Sequence, residues 1–242
     1  MNNKKQNKIM ANKNAQDALN VEDQLSKSEA FFDKNKKTIL IAIAAVVLVI
    51  AGFFLYKAYV SGPREDKAST ALAKGQEYFN NEMFDKALNG DGAGYAGFVK
   101  VADDYSGTDA ANLANLYAGL CYANLNKWQE AVNSLEAYSS SNDAMVSPAA
   151  QAALGNAYAH LNQLDKAVAA LKKAAKMADS KAEDDINNSL SPTFLLQAAE
   201  ILESQGNKAD ALEIYQDIKK NYVNSALVQS QEIEKYIERA SR

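Results

Sequence analysis

The side chains that could carry out chemistry in this chain are few and scattered. His160 is the only histidine and Cys121 the only cysteine in 242 residues. A Ser-His-Asp or Cys-His relay needs a nucleophile, a base and an orienting group together, and here only one imidazole could serve. A structural zinc site built from clustered Cys and His cannot be assembled. No glycine-rich phosphate-binding fingerprint follows a strand-like run. A single thiol also rules out an internal disulfide framework, and Cys121 reads as a small apolar core residue.

One segment invites a metal. In LNGDGAGYAGF, from Leu88 to Phe98, Asn89, Asp91 and the glycines resemble a calcium loop. A register beginning at Asn89 puts Ala93 at the fifth position and Lys100 at the twelfth, where an acid is required, so the segment reads as a glycine-rich loop. The remaining acids are spread over helical surface in a chain of net charge −4, a poor ligand for nucleic acid. The expectation is a non-enzymatic protein with no cofactor, no metal and no small-molecule substrate, whose partners are other proteins.

The elements that must position such a binding surface begin with one uninterrupted apolar run, TILIAIAAVVLVIAGFFLY, from Thr38 to Tyr56. Extended to Val60, it makes a helix of about 33 Å, enough for the hydrocarbon core of a bilayer. A cleaved signal would have a shorter apolar stretch and small residues where Phe53, Phe54, Leu55 and Tyr56 stand. A soluble core helix would show polar positions every third or fourth residue. Residues 38–60 are therefore expected to be a retained transmembrane helix, with cleavage near Ala58 as the competing possibility. Lys34, Lys36 and Lys37 precede the span. Residues 1–37 carry eight lysines against five acids, and residues 57–242 carry 18 cations against 25 acids. The positive-inside rule then leaves the N-terminus in the cytoplasm and exports an acidic body to the periplasmic side of a bacterial inner membrane. Within the head, Met1 to about Asn14 reads as disordered. Residues 21–37 fit either a short amphipathic helix on the inner leaflet or a solvated flank. Gly62 and Pro63 are expected to end the membrane helix.

Beyond them the chain is helical in pattern, and it repeats. In LYAGLCYANLNKWQEAVNSL, Ala118, Gly119 and Tyr122 on one helix precede Ala131 on the next, with a turn at Asn126 and Lys127. The spacing returns as Leu154, Gly155, Tyr158 and Ala167, more weakly as Ala198, Ala199, Leu202 and Ala211, and in degenerate form as Gly75, Tyr78 and Ala87. Small residues let the two helices of a hairpin approach closely, and each hairpin buries its apolar face only by stacking on the next. The pattern resembles the tetratricopeptide repeat, a helix–turn–helix unit of about 34 residues. The expected fold is all-α: a single N-terminal transmembrane helix followed by a tetratricopeptide-repeat solenoid of about four helix pairs over 65–225, closed by a capping helix over 226–242. A second insertion, from Asp179 to Ser191, reads as a solvated acidic connection, with an exposed contact site as the alternative.

If the register holds, the first helix of each pair lines a concave groove. It presents Gln76, Phe79 and Asn80 from the first pair, Leu116, Tyr117, Leu120 and Asn124 from the second, Ala152, Asn156 and His160 from the third, and Leu196, Gln197 and Glu200 from the fourth. Tetratricopeptide domains that clamp a C-terminal carboxylate use Lys and Arg at these positions, and none stands here. A mixed apolar and amide groove suits extended or partly unfolded protein segments, although the same residues could serve only inter-repeat packing.

Layout and repeat together resemble the YfgM-like ancillary subunits of the Sec translocon, most clearly in SKSEAFFDKNKKTIL and YAGLCY. That resemblance implies a membrane-anchored scaffold that binds translocon subunits, periplasmic chaperones or exported clients and assists export or envelope protein quality control. The alternative is a dedicated structural adaptor in an envelope or division complex, with one partner instead of many.

Overall fold

The structure, a computed structural model, describes Phe31 and residues 34–242. The head and most of the amphipathic segment expected over 21–37 lie outside the described residues. The chain divides into two compact units, Met1–Ser61 and Gly62–Arg242.

The described part of the first unit is helical. Its helix α1 runs over residues 34–56, and every side chain from 40 to 60 is exposed. An apolar helix buried against nothing is not a core helix of this protein. It is long and apolar enough to cross a membrane. Gly62 and Pro63 do not end it, because the stretch Lys34–Asn80 is helical throughout. A π-helical segment at Lys57–Ser61 shifts the hydrogen-bond frame in the turn that Pro63 would otherwise disrupt by its missing N–H.

The second unit is a series of antiparallel helix pairs. The first pair comprises α2 (Gly62–Asn80) and a second helix broken into α3 (Phe84–Asn89) and α4 (Phe98–Asp104). Three unbroken pairs follow: α5 (Asp109–Asn124) with α6 (Trp128–Ala137), α7 (Val146–His160) with α8 (Leu164–Asp179), and α9 (Ser191–Ser204) with α10 (Lys208–Asn221). The chain ends in α11 (Ala226–Gln229) and α12 (Glu232–Ser241). No strand occurs among the described residues.

One geometry recurs in each pair, and it follows from residue size. Ala87, Ala131, Ala167 and Ala211 are all fully buried, each on the second helix of its pair. Opposite them, twelve positions earlier, stand Gly75, Gly119, Gly155 and Ala199. A Cβ added at Gly119 would lie 2.6 Å from Leu135 Cγ, and one at Gly155 would lie 2.9 Å from Leu171 Cγ. The same Cβ atoms would lie 3.3 and 3.2 Å from the Ala131 and Ala167 carbonyls, so the two helices of these pairs approach closely. The turn repeats too: Glu82, Asn126, Asn162 and Gly206 all have positive φ. The next amide in each case donates a 2.9 Å hydrogen bond to the carbonyl of Tyr78, Tyr122, Tyr158 or Leu202. Glycine and asparagine suit a left-handed turn residue at a helix C-terminus.

The first insertion interrupts the second helix of the first pair. It is folded, with Tyr95 and Phe98 buried and packed where a Cβ on Gly75 would have to go. The Tyr95 hydroxyl donates to the Ala87 carbonyl at 2.8 Å. The second insertion contains one 3-10 turn, Glu183–Asp185. Its tip is exposed, but it is not merely a solvated connection. The Asp179 carboxylate accepts hydrogen bonds from the Asn187 amide at 2.9 Å, Ser191 Oγ at 2.6 Å and the Tyr222 hydroxyl at 2.7 Å, tying the insertion to both neighbouring helices.

Gly119→Val is expected to destabilise the second unit by about 2 kcal/mol or more, since two methyl groups would be forced onto Leu135 and the Ala131 carbonyl. The check is the denaturant midpoint at unchanged slope, alone and with Leu135→Ala. The double variant should cost less than the sum of the two single changes, because the cavity left by one accepts the bulk of the other.

Candidate protein-interaction surface

The proposed groove residues belong to the first helices of the pairs, and their immediate surroundings differ. Phe79 on α2 and Tyr117 on α5 meet edge to face, with ring centroids 5.3 Å apart. Phe79 also contacts Phe84 at 5.5 Å, and Tyr117 stacks on Phe98 at 5.2 Å. Both rings remain half-buried, so this cluster is part core and part surface. Leu116 is buried, and Leu120 is half-buried in the same apolar cluster with Ala131, Leu135 and Tyr158. Ala152 is buried against the next cluster, to which the half-buried Leu196 also belongs.

The polar members present a different picture. Asn80, Asn156, His160 and Glu200 are exposed, and Gln76 is half-buried. Asn124 turns its amide back to the Leu120 carbonyl at 2.8 Å, a bond within its own helix. Gln197 is half-buried and its Oε1 is sealed from solvent without a hydrogen-bond partner. His160 lies flat on the indole of Trp128, with centroids 3.6 Å apart and planes 1° from parallel. Phe79 with Tyr117, and His160 with Trp128, are contacts between successive pairs.

Trp128 is the residue that reading the sequence for groove positions omits. It begins α6, nine residues after Gly119, in the same register as Phe84, Leu164 and Lys208 at the starts of α3, α8 and α10. The equivalent Phe84 meets Phe79 within its own pair, whereas Trp128 meets His160 of the next, so the shared register alone does not assign the contact.

Half-buried carboxylates fix two loops of the second unit. Asp91 accepts from the amides of Tyr95 at 2.9 Å and Ala93 at 2.8 Å, and from the Tyr78 hydroxyl at 2.8 Å, with Lys74 at 3.2 Å. Those bonds hold its carboxyl far below the usual range, led by the two backbone amides. Its oxygens are thus spent on the loop itself. No group of three or more His, Cys, Asp or Glu that could hold a metal occurs among the described residues. At the start of α7, burial by itself would raise the Asp143 carboxyl. Hydrogen bonds from the hydroxyls of Ser141 and Ser147 and from the amides of Ser147 and Met145 overcome that effect and hold it well below 3.8. The Ser147 hydroxyl also meets the buried Tyr138 hydroxyl at 3.1 Å. Cys121 is fully buried, and burial pushes its thiol up to about 12, so it is not a nucleophile at neutral pH.

The far end is closed by ions. Arg239 on α12 makes a two-point contact with Glu203 on α9, at 2.8 and 2.7 Å, while the Tyr215 hydroxyl donates to the same carboxylate at 3.0 Å. Together with the fully buried Ile233, this fixes α12 over the last pair.

The family described as "T7SS, ESX-1 secretion system protein EccA1, N-terminal domain" matches residues 86–231, more than half of the chain. The chain belongs to this family. Within the EccA1 N-terminal domain family match lie the three unbroken pairs and the second half of the first. Among solved structures, the chain is similar to the TPR-like repeats of a kinesin light chain-like protein from Podosopora anserina, with a TM-score of 0.51 and 15% identity. The similarity covers 73% of this chain and 94% of that one. A substituted form of the same repeat protein matches equally well. At that identity the likeness concerns the fold, a tetratricopeptide-type helical repeat. No curated protein matches the chain in sequence.

The depressed carboxyls of Asp91 and Asp143 give a pH dependence with a defined sign. Each lies lower in the folded than in the unfolded chain, so its stabilisation is complete above 3.8 and is lost as pH falls below that value. Unfolding measured from neutral pH downward should show falling stability in that acid range. Asp143→Asn should lower stability at neutral pH and flatten the acid dependence.

Proposed function

We propose that this chain is a membrane-anchored scaffold whose row of first helices holds extended segments of other proteins. The setting is the periplasmic side of a bacterial inner membrane, in protein export or envelope protein quality control as an accessory of the translocon. A tetratricopeptide-type repeat is by construction an extended surface for protein contacts. The observation that carries the reading further is the make-up of that surface. Half-buried Phe79, Tyr117, Leu120 and Leu196 alternate with exposed Asn80 and Asn156, and no lysine or arginine stands among them. Such a surface offers apolar contact and amide hydrogen bonds along its length, and no fixed cation for a terminal carboxylate. It suits backbone-exposed, partly unfolded chains of many sequences.

Two further observations support the setting. The exposed apolar helix gives the chain a means of standing on a membrane, and the excess of lysine before it agrees with export of the acidic body. The family model that fits the repeats is named for a protein of a secretion system.

Photo-crosslinking in native membranes, with probes at Lys34, Tyr117 and His160, tests this function. Many exported chains or periplasmic chaperones captured from Tyr117 and His160, with translocon subunits captured from Lys34, is the expected result. One recurrent envelope protein from all three positions would replace it with a dedicated adaptor. A second readout is built in, because Trp128 is the only tryptophan. Adding an unfolded exported polypeptide to the full-length protein should shift its emission. Binding with unchanged emission would move the site away from the third pair.

A further inference from the structure

The outer faces of α8 and α10 carry opposite charges in register. On α8, Lys172, Lys173 and Lys176 are exposed beside the small, exposed Ala169, while Lys166 lies over the Tyr158 ring at 5.1 Å and Asp165 is held by the Gln205 amide at 3.1 Å. On α10, Asp210, Glu213 and Asp217 recur at three- and four-residue intervals, which places them on one side of the helix. The two stripes flank an open groove of about 580 Å³, lined by Lys172 from α8 and by Asp210, Glu213, Asp217 and Lys220 from α10, with Leu195 and Ile214 at its base. Among the described residues no ion pair joins one stripe to the other. The ion pairs found at this end of the second unit are Lys219 with Glu234 and Arg239 with Glu203, both involving α12, and Arg242 with Glu238 at the C-terminal end of α12. Asp210 and Asp217 take only the side-chain amides of Asn207 and Asn221.

We infer that this face is the interface between two copies of the chain, with the lysine stripe of α8 on one copy seated against the acidic stripe of α10 on the other. The occupant follows from the charges. A purely acidic ligand is attracted by α8 but repelled by α10, and a purely basic one meets the reverse. The face needs a partner with both signs side by side at the same separation as its own stripes, and the chain itself supplies that surface. Symmetry selects the arrangement. A two-fold axis parallel to α8 and α10 lays each lysine stripe on the partner's acidic stripe, so the favourable contact forms twice. A two-fold axis across the helices would put lysine on lysine and acid on acid. The contact is isologous, as closed homodimers require, and Ala169 leaves room for close approach. Lys220 is the one cation at the acidic side of the groove, and it sits at the end of that stripe.

Sedimentation of the full-length protein in detergent tests the inference, using wild type and two charge-reversed variants. One carries Lys172→Glu, Lys173→Glu and Lys176→Glu, and the other Asp210→Lys, Glu213→Lys and Asp217→Lys. Wild type should dimerise at low salt and weaken as salt is added. Each variant alone should show a dimer dissociation constant raised at least about tenfold, with unchanged helical circular dichroism. An equimolar mixture of the two should dimerise again, because reversing both sides restores both contacts. A monomeric wild type at low salt, a dimer that survives either reversal, or two folded variants that fail to associate would each overturn the inference.

Discussion

The second unit depends on one constraint, the close approach of paired helices at a small residue on the first and an alanine twelve positions later on the second. Gly119 against Ala131 and Leu135, and Gly155 against Ala167 and Leu171, leave no space for a Cβ without displacing a neighbour. Close backbone approach brings the facing side chains into dense contact, but it also means that the two middle pairs bury mostly alanine and glycine. Apolar stabilisation scales with area removed from water, at about 25 cal/mol per Å². The larger fully buried residues supply more of that area, Leu171 against Gly155 within its own pair and Phe98 against both Gly75 and, in the next pair, Tyr117. The apolar clusters accordingly run both within pairs and across them.

The insertions and the end helices meet the same requirement by other means. In the first pair the residue that would stand where Leu135 and Leu171 stand is displaced by the glycine-rich segment, and Tyr95 and Phe98 fold back onto Gly75 in its place. Asp91 holds that segment in shape by accepting its own loop amides. At the other end the last pair has no successor. Ile233 and the Arg239–Glu203 contact supply from α12 what a further repeat would have provided.

The architecture was legible because its cause is local and periodic. Gly119, Tyr122 and Ala131, repeated at Gly155, Tyr158 and Ala167, encode the hairpin by size alone, and the apolar run from Thr38 to Tyr56 encodes a helix long and apolar enough to cross a membrane. Two features were not legible. Gly62 and Pro63 looked like a helix stop, and the π-helical segment at Lys57–Ser61 that absorbs the proline has no local sequence signature. The roles of Asp91, Asp143 and Asp179 were also hidden. A carboxylate that folds a loop and one that faces water have the same composition, and only the amides and hydroxyls converging on it distinguish them. For the expected groove, the sequence offered positions on the first helices, of which Leu116 and Ala152 prove to be buried. It did not reveal that Trp128 would cover His160, because that contact joins one pair to the next and depends on how the pairs stack.

On the proposed reading, the residues that stack the pairs would also form the surface offered to partners, and this would limit what that surface can select. Phe79 and Tyr117 are held by neighbouring rings, and Leu116 is consumed by the core, so the apolar part of the surface is rigid and shallow. The polar part is made of exposed side chains, Asn80, Asn156 and Glu200, that are free to adjust. A rigid apolar floor with adaptable amides above it discriminates weakly among side chains and well between extended and folded backbone. Burying a short extended segment on such a floor gives modest affinity per site, and affinity must then come from several sites in a row. A solenoid supplies these in series, and two solenoids held together would double the number presented to a single long chain.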